Sequence, residues 1–282
     1  MNAAYRGIFV SDLDGTLLRN GRISEADIRA LHGLKDQGIL RVIATGRSLF
    51  SARSCLAQDF PADYLILSTG SQIVTWPAQE VIRSAGMSGL EVRDICLFLR
   101  TLGVSFMVHE NFPHNHRFAY HRGRISVEDF DRRVALYESH SLEKWDCTNA
   151  SAASQIVVIV DGNDAAMHDH IVGTLKENSV IRATSPLDGQ SVWIEIFATD
   201  VSKASGIKHL VDHHGLHKVL SAAIGNDHND RDMLDLVHMP FKVADAFLDG
   251  GDRYITTPEN CDAVAFAIAQ YMETIQSGMN NA

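Results

Sequence analysis

The sequence predicts an α/β protein, a doubly wound parallel sheet with a second, smaller α/β unit inserted into it. Three observations carry that expectation. Short apolar runs alternate with segments of helical periodicity toward both ends of the chain, the pattern of parallel strands covered by helices on both faces. Polar clusters at Asp12, Thr45, Lys203 and Asn226 each stand beyond one of those runs, where open α/β sheets place their ligands. Between the second and third clusters lies a stretch with strands and helices of its own, about a hundred residues and so the size of a small domain.

Taken in order, Ile8-Phe9-Val10 is an apolar run that ends at Ser11-Asp12. A helix starts near Ser24, which can cap it; Ile28, Leu31 and Leu34 recur at helical spacing, and Gly38 can end it. Leu40–Ala44 and Tyr64–Leu67 are further buried strands. In the insert, Ser88-Gly89-Leu90-Glu91 is a capping box opening a helix that runs to about Leu102. A strand over Val104–His109, a polar stretch to Arg124 and a helix over Val127–Ser139 follow, then strand Ser154–Asp161, helix Ala165–Glu177 and strand Val180–Thr184. After Pro186 the first pattern resumes, with strand Val192–Phe197, helix Ser202–His214, strand Val219–Ile224, helix Asp230–Val237, strand Phe241–Ala244 and a closing helix over Asp262–Ile275. The expected division is therefore 1–82 and 188–282 for the parallel-sheet unit and 83–187 for the insert.

A chain of 282 residues, 45% hydrophobic and 21% charged, has ample material for one large or two medium cores. Its 35 acidic and 25 basic residues give a formal charge of −10. That field repels a polyanion and excludes a broad nucleic-acid surface, while a few local cations still allow a small phosphate ester. No run approaches the roughly 18 apolar residues that cross a bilayer, and Met1–Gly7 lacks an apolar stretch with a small-residue cleavage site. Cys55, Cys96, Cys147 and Cys261 are scattered, without paired metal-ligand spacing, and read as reduced thiols of a cytoplasmic protein.

The strongest chemical signal is Asp12-Leu13-Asp14-Gly15-Thr16. Two carboxylates one residue apart can face one pocket if extended geometry persists beyond the strand. A carboxylate can attack phosphorus, but the attack brings two anions together, so a divalent cation with hard oxygen ligands is needed. The second carboxylate can protonate the leaving oxygen and later deprotonate water. Gly15 permits close backbone approach, and Thr16 can tie the loop by a hydrogen bond. Taken alone, the same residues make an Asx turn with a helix cap. Thr45-Gly46-Arg47 offers a hydroxyl, free amides and a helix N-terminus for phosphoryl oxygens, or simply a cap and a turn. Lys203 stands in the first turn of a helix, where a cation is unfavourable unless an anion meets it. Gly225-Asn226-Asp227-His228-Asn229-Asp230 gathers oxygen ligands after another apolar run.

The order Asp12-Leu-Asp-Gly-Thr16, Thr45-Gly-Arg47, Lys203, Gly225-Asn-Asp-His-Asn-Asp230 resembles the haloacid dehalogenase-like hydrolases, and among them the Cof-type phosphatases, whose large α/β cap is inserted between the second and third motifs. The resemblance spans essentially the whole chain. It implies a Mg2+-dependent phosphatase acting on a small phosphorylated metabolite through an aspartyl-phosphate. Asp12 would be nucleophile and metal ligand; Asp14 would be the general acid/base, its backbone carbonyl reaching the metal. The Leu13 amide, Thr45, the Gly46 amide, Lys203 and Asn229 would hold the transferring phosphoryl group. The chain departs from the family in having Gly225-Asn226 where Gly-Asp is usual. Asn226 therefore takes the place of a metal-binding aspartate, with Asp227 as the alternative ligand and Asp230 behind it.

Two other readings stay open. A phosphomutase of the phosphomannomutase type shares these core and cap types and would need cap cations, for which Arg117, Arg122 and Arg124 stand ready. A ligand-binding relative with a weakened metal site would account for Asn226. Of the fourteen histidines, His109, His114, His116 and His121 gather in the insert, where contact with substrate is a stronger expectation than a transition-metal site. Trp76, Trp145 and Trp193 are expected to serve packing.

Overall fold

A computed structural model of the chain describes residues 5–142, 150–162 and 164–280. In chain order the strands are β1 (Gly7–Asp12), β2 (Ile39–Ala44), β3 (Tyr64–Leu67), β4 (Gln72–Thr75), β5 (Val81–Ser84), β6 (Phe106–His109), β7 (Phe118–His121), β8 (Ser141–Leu142), β9 (Gln155–Val160), β10 (Ser179–Thr184), β11 (Val192–Phe197), β12 (Leu220–Gly225), β13 (Met239–Lys242) and β14 (Ile255–Thr256). The α-helices are α1 (Glu25–Asp36), α2 (Leu49–Ala52), α3 (Gly89–Leu102), α4 (Glu128–Leu136), α5 (Ala165–Thr174), α6 (Lys203–His214), α7 (Arg231–Leu236) and α8 (Ala263–Asn280). Contacts divide the chain into two compact units, one of residues 1–46, 53–82 and 202–282, the other of 47–52 and 83–201.

The first sheet runs β14-β13-β12-β1-β2-β3-β4-β5. Its pairs from β14 to β3 are parallel, and β3–β4 is antiparallel. Successive side chains of β1 point to opposite faces. Ile8 and Val10 join a core with Ile207 and Leu210 of α6 and Met233 and Leu234 of α7. Phe9, on the other face, meets Tyr271 of α8 at 5.9 Å between ring centroids. Helices on both faces make the sheet doubly wound, as the apolar runs predict, and each such side chain contributes roughly 1.5–3 kcal/mol by leaving water. Ser24 caps α1 by accepting from the Asp27 amide, as its sequence position suggests. Asp27 is buried and accepts from the Ala265 amide at 2.7 Å, so the first turn of α1 satisfies the first turn of α8.

The second unit holds the sheet β10-β11-β9-β6-β7-β8, antiparallel throughout except for β7–β8. Val92, Ile95 and Leu99 of α3 and Ile171 of α5 cover one face, packing on Ile156, Val158 and Ile194. Phe130 and Val134 of α4 cover the other, against Met107, Val157 and Trp193. The capping box of α3 forms as read, with Ser88 and Glu91 reciprocally bonded, and Gly103 ends the helix at φ 73°. Trp193 does more than pack, because its indole N–H donates to Asp129 at 2.8 Å; Trp145 and Cys147 lie outside the described residues.

One expectation is corrected. Strand β11 does not return to the first sheet: it is hydrogen-bonded to β9 on one side and β10 on the other. The second crossing between units falls at 201/202 and not at 187/188. Every residue of β11 is buried, and a run buried on both faces has the same apolar signature in either kind of sheet.

Candidate active site

From β1 the chain moves to β2 and β3 on one side and returns much later to β12 on the other. The topological switch point of the sheet therefore lies between β1 and β12, the place where such sheets open a crevice at their carboxyl ends. Asp12 is the last residue of β1, and Asn226 follows β12 directly. Beyond Asp12 the backbone turns on itself, with the Leu18 amide donating to Leu13 O at 2.7 Å and the Gly15 amide to Leu18 O at 3.0 Å. Gly15 has φ +82°, and a Cβ there would lie 2.3 Å from the side-chain amide of Asn226, so the turn admits no larger residue without moving that amide.

Lys203, the first residue of α6, is fully buried. Its Nζ donates to Asp12 Oδ1 and to Asp230 Oδ1, each at 2.6 Å. The second oxygen of Asp230 accepts from the backbone amides of Asn226 at 2.8 Å and Asp227 at 3.0 Å. Asp230 thus aims the lysine and ties down the turn after β12. With one ammonium serving two buried carboxylates, one negative charge is in excess. Burial, and then the charge of Asp230, push the Asp12 carboxyl upward against the pull of Lys203. Burial alone would lower Lys203, but Asp12 and Asp230 outweigh it and hold the ammonium charged.

The start of α6 is positioned by a segment that sequence reasoning missed. Ser68, Thr69 and Gly70 have φ of +43°, +56° and +109°, an arrangement that a β-branched threonine rarely adopts. The Thr69 amide donates to Thr45 O at 3.0 Å, and a Cβ on Gly70 would lie 2.0 Å from Ser202 O. The backbone after β3 therefore lies against the residue before Lys203. Only the glycine hinted at this, because no propensity predicts positive φ at the serine and threonine before it.

Thr45 is buried, and its hydroxyl lies 3.5 Å from Asp14 Oδ2, the outer limit of a hydrogen bond. Gly46 follows it, and Leu13 is buried between the two aspartates. Asp14 is partly exposed. Asp227 is placed on its own turn, with Oδ1 accepting from the His228 amide at 2.7 Å. Asn229 is half-buried in the same turn.

Asn226 completes the group. One terminal atom of its side-chain amide lies 3.0 Å from the Asp14 backbone oxygen, 3.1 Å from Asp12 Oδ2 and 3.2 Å from Thr16 Oγ1. As oxygen this atom accepts from the Thr16 hydroxyl at 3.2 Å, whereas the Asp14 carbonyl, which can only accept, and Asp12 Oδ2 favour nitrogen there. A hard divalent cation fits this donor set. Adjacent oxygen ligands of an octahedral magnesium ion, each about 2.0–2.1 Å from the metal, lie about 2.9 Å apart, close to the spacings between the inner position and its Asp12 and Asp14 neighbours. The unbalanced negative charge points the same way. Among the described residues no three His, Cys, Asp or Glu side chains gather as a metal site, in keeping with a set made of one carboxylate, one backbone carbonyl and one amide.

In the second unit, His116 stacks on Phe50 at 4.4 Å between ring centroids, and His140 meets both edge-on. His109 is buried, with Nδ1 2.9 Å from Asn115 O. Arg122 pairs with Asp131 and lies over the Tyr120 and Phe130 rings. Arg122 and Arg124 line one shallow depression with Arg100 and His121, and Arg117 is not among its lining residues.

The sequence profile of a family described as haloacid dehalogenase-like hydrolase matches residues 9–268. A Streptococcus pyogenes serotype M6 protein to which phosphatase activity is ascribed is 25% identical over 275 residues, covering 93% of this chain and 96% of its own length. The HMP-PP phosphatase of Yersinia enterocolitica is 40% identical over 63 residues, 22% of this chain and 23% of that protein. Among solved structures, the HAD subclass IIB sugar phosphatase BT4131 superposes with a TM-score of 0.71 at 18% identity, over 94% of this chain and 98% of the other. At that identity the likeness is one of fold.

Proposed function

Given that this chain belongs to the haloacid dehalogenase-like hydrolases, we propose that it is a Mg2+-dependent phosphatase that hydrolyses a small phosphorylated metabolite through an aspartyl-phosphate on Asp12. The observation that carries this reading is the bridging of Asp12 and Asp230 by the buried Lys203 ammonium. It gathers three chain segments at the switch point, with Asp14, Thr45 and Asn226 beside them. Relatives named as phosphatases support the same activity.

The Asp12 carboxylate, the Asp14 carbonyl and the Asn226 side chain would hold the cation. When bound, it offsets the repulsion between an attacking carboxylate and a phosphate ester. Asp12 forms a bond to phosphorus as the bond to the substrate oxygen breaks, and Asp14 delivers a proton to that leaving oxygen. In the second step Asp14 takes a proton from water as the water oxygen attacks phosphorus, releasing inorganic phosphate and restoring Asp12. Lys203, Thr45, Asn229 and the amides of Leu13 and Gly46 supply the donors for the phosphoryl oxygens. Lys203 keeps its charge throughout because its second carboxylate, Asp230, is no part of the exchange.

The candidate substrates are sugar phosphates, cofactor phosphates and nucleotides, the first in line with the name of the structural neighbour. The test is phosphate release from an aryl phosphate, with and without MgCl2, followed by a panel of phosphorylated metabolites. Activity that survives EDTA, or that persists in Asp12→Asn, would overturn the proposal.

A further inference from the structure

The inner atom of the Asn226 amide stands at one position that suits two different atoms. As nitrogen, it lies at hydrogen-bonding distance from the Asp14 carbonyl, Asp12 Oδ2 and Thr16 Oγ1, at 3.0, 3.1 and 3.2 Å. As oxygen, it would lie from the Asp12 and Asp14 oxygens by close to the edge of an octahedral magnesium shell, about 2.9 Å. An aspartate at this position has two oxygens and no such choice. The outer end of the amide faces Gly15, whose missing Cβ leaves room for either terminal atom. A half-turn about the last side-chain bond exchanges the two atoms without moving the backbone, which the bonds from Asp230 to the Asn226 and Asp227 amides hold in place.

We propose that Asn226 is a rotating ligand, its amide nitrogen turned inward to bridge Asp12 and Asp14 in the cation-free protein and its amide oxygen turned inward when Mg2+ binds. The nitrogen satisfies, in the empty site, the same oxygens that the cation later takes. Binding therefore forfeits the hydrogen bonds from Asn226 before a coordination bond to it is gained, and the cation competes with the protein's own side chain. Two consequences separate Asn226 from an aspartate there. The cation-free site is held in its working shape, and the affinity for Mg2+ is lower. The idea rests on the proposed cation-dependent reading of this site.

The test is the side-chain amide resonance of Asn226 in protein labelled with 15N-asparagine, assigned by its absence from Asn226→Asp. Without cation, its N–H protons are expected downfield and slow to exchange with solvent. Saturating MgCl2 should remove that shift and speed exchange at least fivefold. In parallel, the dissociation constant for Mg2+, read by calorimetry, should fall at least tenfold in Asn226→Asp. An Asn226 signal that stays unchanged, while the Leu13 and Asp14 backbone amides respond to Mg2+ and aryl phosphate is hydrolysed, overturns the rotation and leaves the phosphatase reading intact. Equal Mg2+ affinities for the two proteins overturn it as well. If no resonance responds and no phosphate is released, the functional reading falls and the rotation with it.

Discussion

Lys203 Nζ stands 2.6 Å from Asp12 and 2.6 Å from Asp230, so a single buried ammonium joins the end of β1 to the turn after β12. Lys203→Met would leave two buried carboxylates facing each other without a cation. Breaking a buried ion pair by removing one partner costs about 3–5 kcal/mol, and urea denaturation should show a loss of that size. Saturating MgCl2 should recover part of it by supplying the missing positive charge. A variant as stable as the wild type would mean that the two carboxylates do not share the lysine.

The division of labour between the two aspartates of the first loop is separable with one substrate. Asp12→Asn should abolish phosphate release and leave no phosphoprotein after acid quenching. Asp14→Asn should lower turnover by about 10²–10⁴-fold. With p-nitrophenyl phosphate, whose leaving group needs no proton, the first step should survive in Asp14→Asn. Phosphorylated protein should then accumulate, visible by intact mass.

Two glycines with positive φ give opposite expectations. At Gly70, φ is +109° and a Cβ would lie 2.0 Å from Ser202 O, so Gly70→Ala must displace the backbone that seats Lys203. A loss of more than about 3 kcal/mol is expected, with activity falling in step. At Gly21, φ is +72° with nothing within 4 Å; Gly21→Ala bears only the left-handed penalty of about 1–2 kcal/mol and should leave turnover unchanged. Thermal denaturation of both variants checks the pair.

His109 makes the second unit sensitive to acid. Burial, and next the neighbouring Arg133, push its imidazole down to about 3. The unfolded chain takes up a proton near pH 6.5 and the folded chain does not, so the stability from the neutral ring is present above that pH and is lost as pH falls toward 3. Between pH 7 and pH 5 this single group accounts for about 2 kcal/mol. His109→Gln should have a correspondingly flatter stability profile over that range, measured by urea unfolding at each pH. A slope identical to that of the wild type would remove His109 as the cause.

Local chemistry made most of the first unit and its site legible. Ser24 and the Ser88–Glu91 box start helices because capping is decided within four residues. The polar clusters after β1, β2 and β12 lie at strand ends because a parallel sheet brings those ends to one edge. What stayed hidden is non-local. Val192–Phe197 has the same apolar signature in either sheet, and only its partners β9 and β10 decide the matter. The left-handed Ser68 and Thr69 are held by tertiary contact against their own preferences. The orientation of the Asn226 amide depends on carbonyl and carboxylate neighbours more than two hundred residues earlier in the chain.

The pairing of β1 with both β2 and β12 also sets an order of events during synthesis. Once it has emerged from the ribosome, β1 gains one neighbour within about thirty residues, yet its other edge stays bare until residues 220–225 have followed. At translation rates of about 5–20 residues per second, that exposure lasts on the order of ten seconds or more. The intervening segment carries a complete sheet of its own, so the nascent chain can bury that material while the flanking halves still wait for each other. Stop codons placed before residue 220 should therefore yield aggregation-prone fragments without a site, whereas the interior segment has the means to fold by itself.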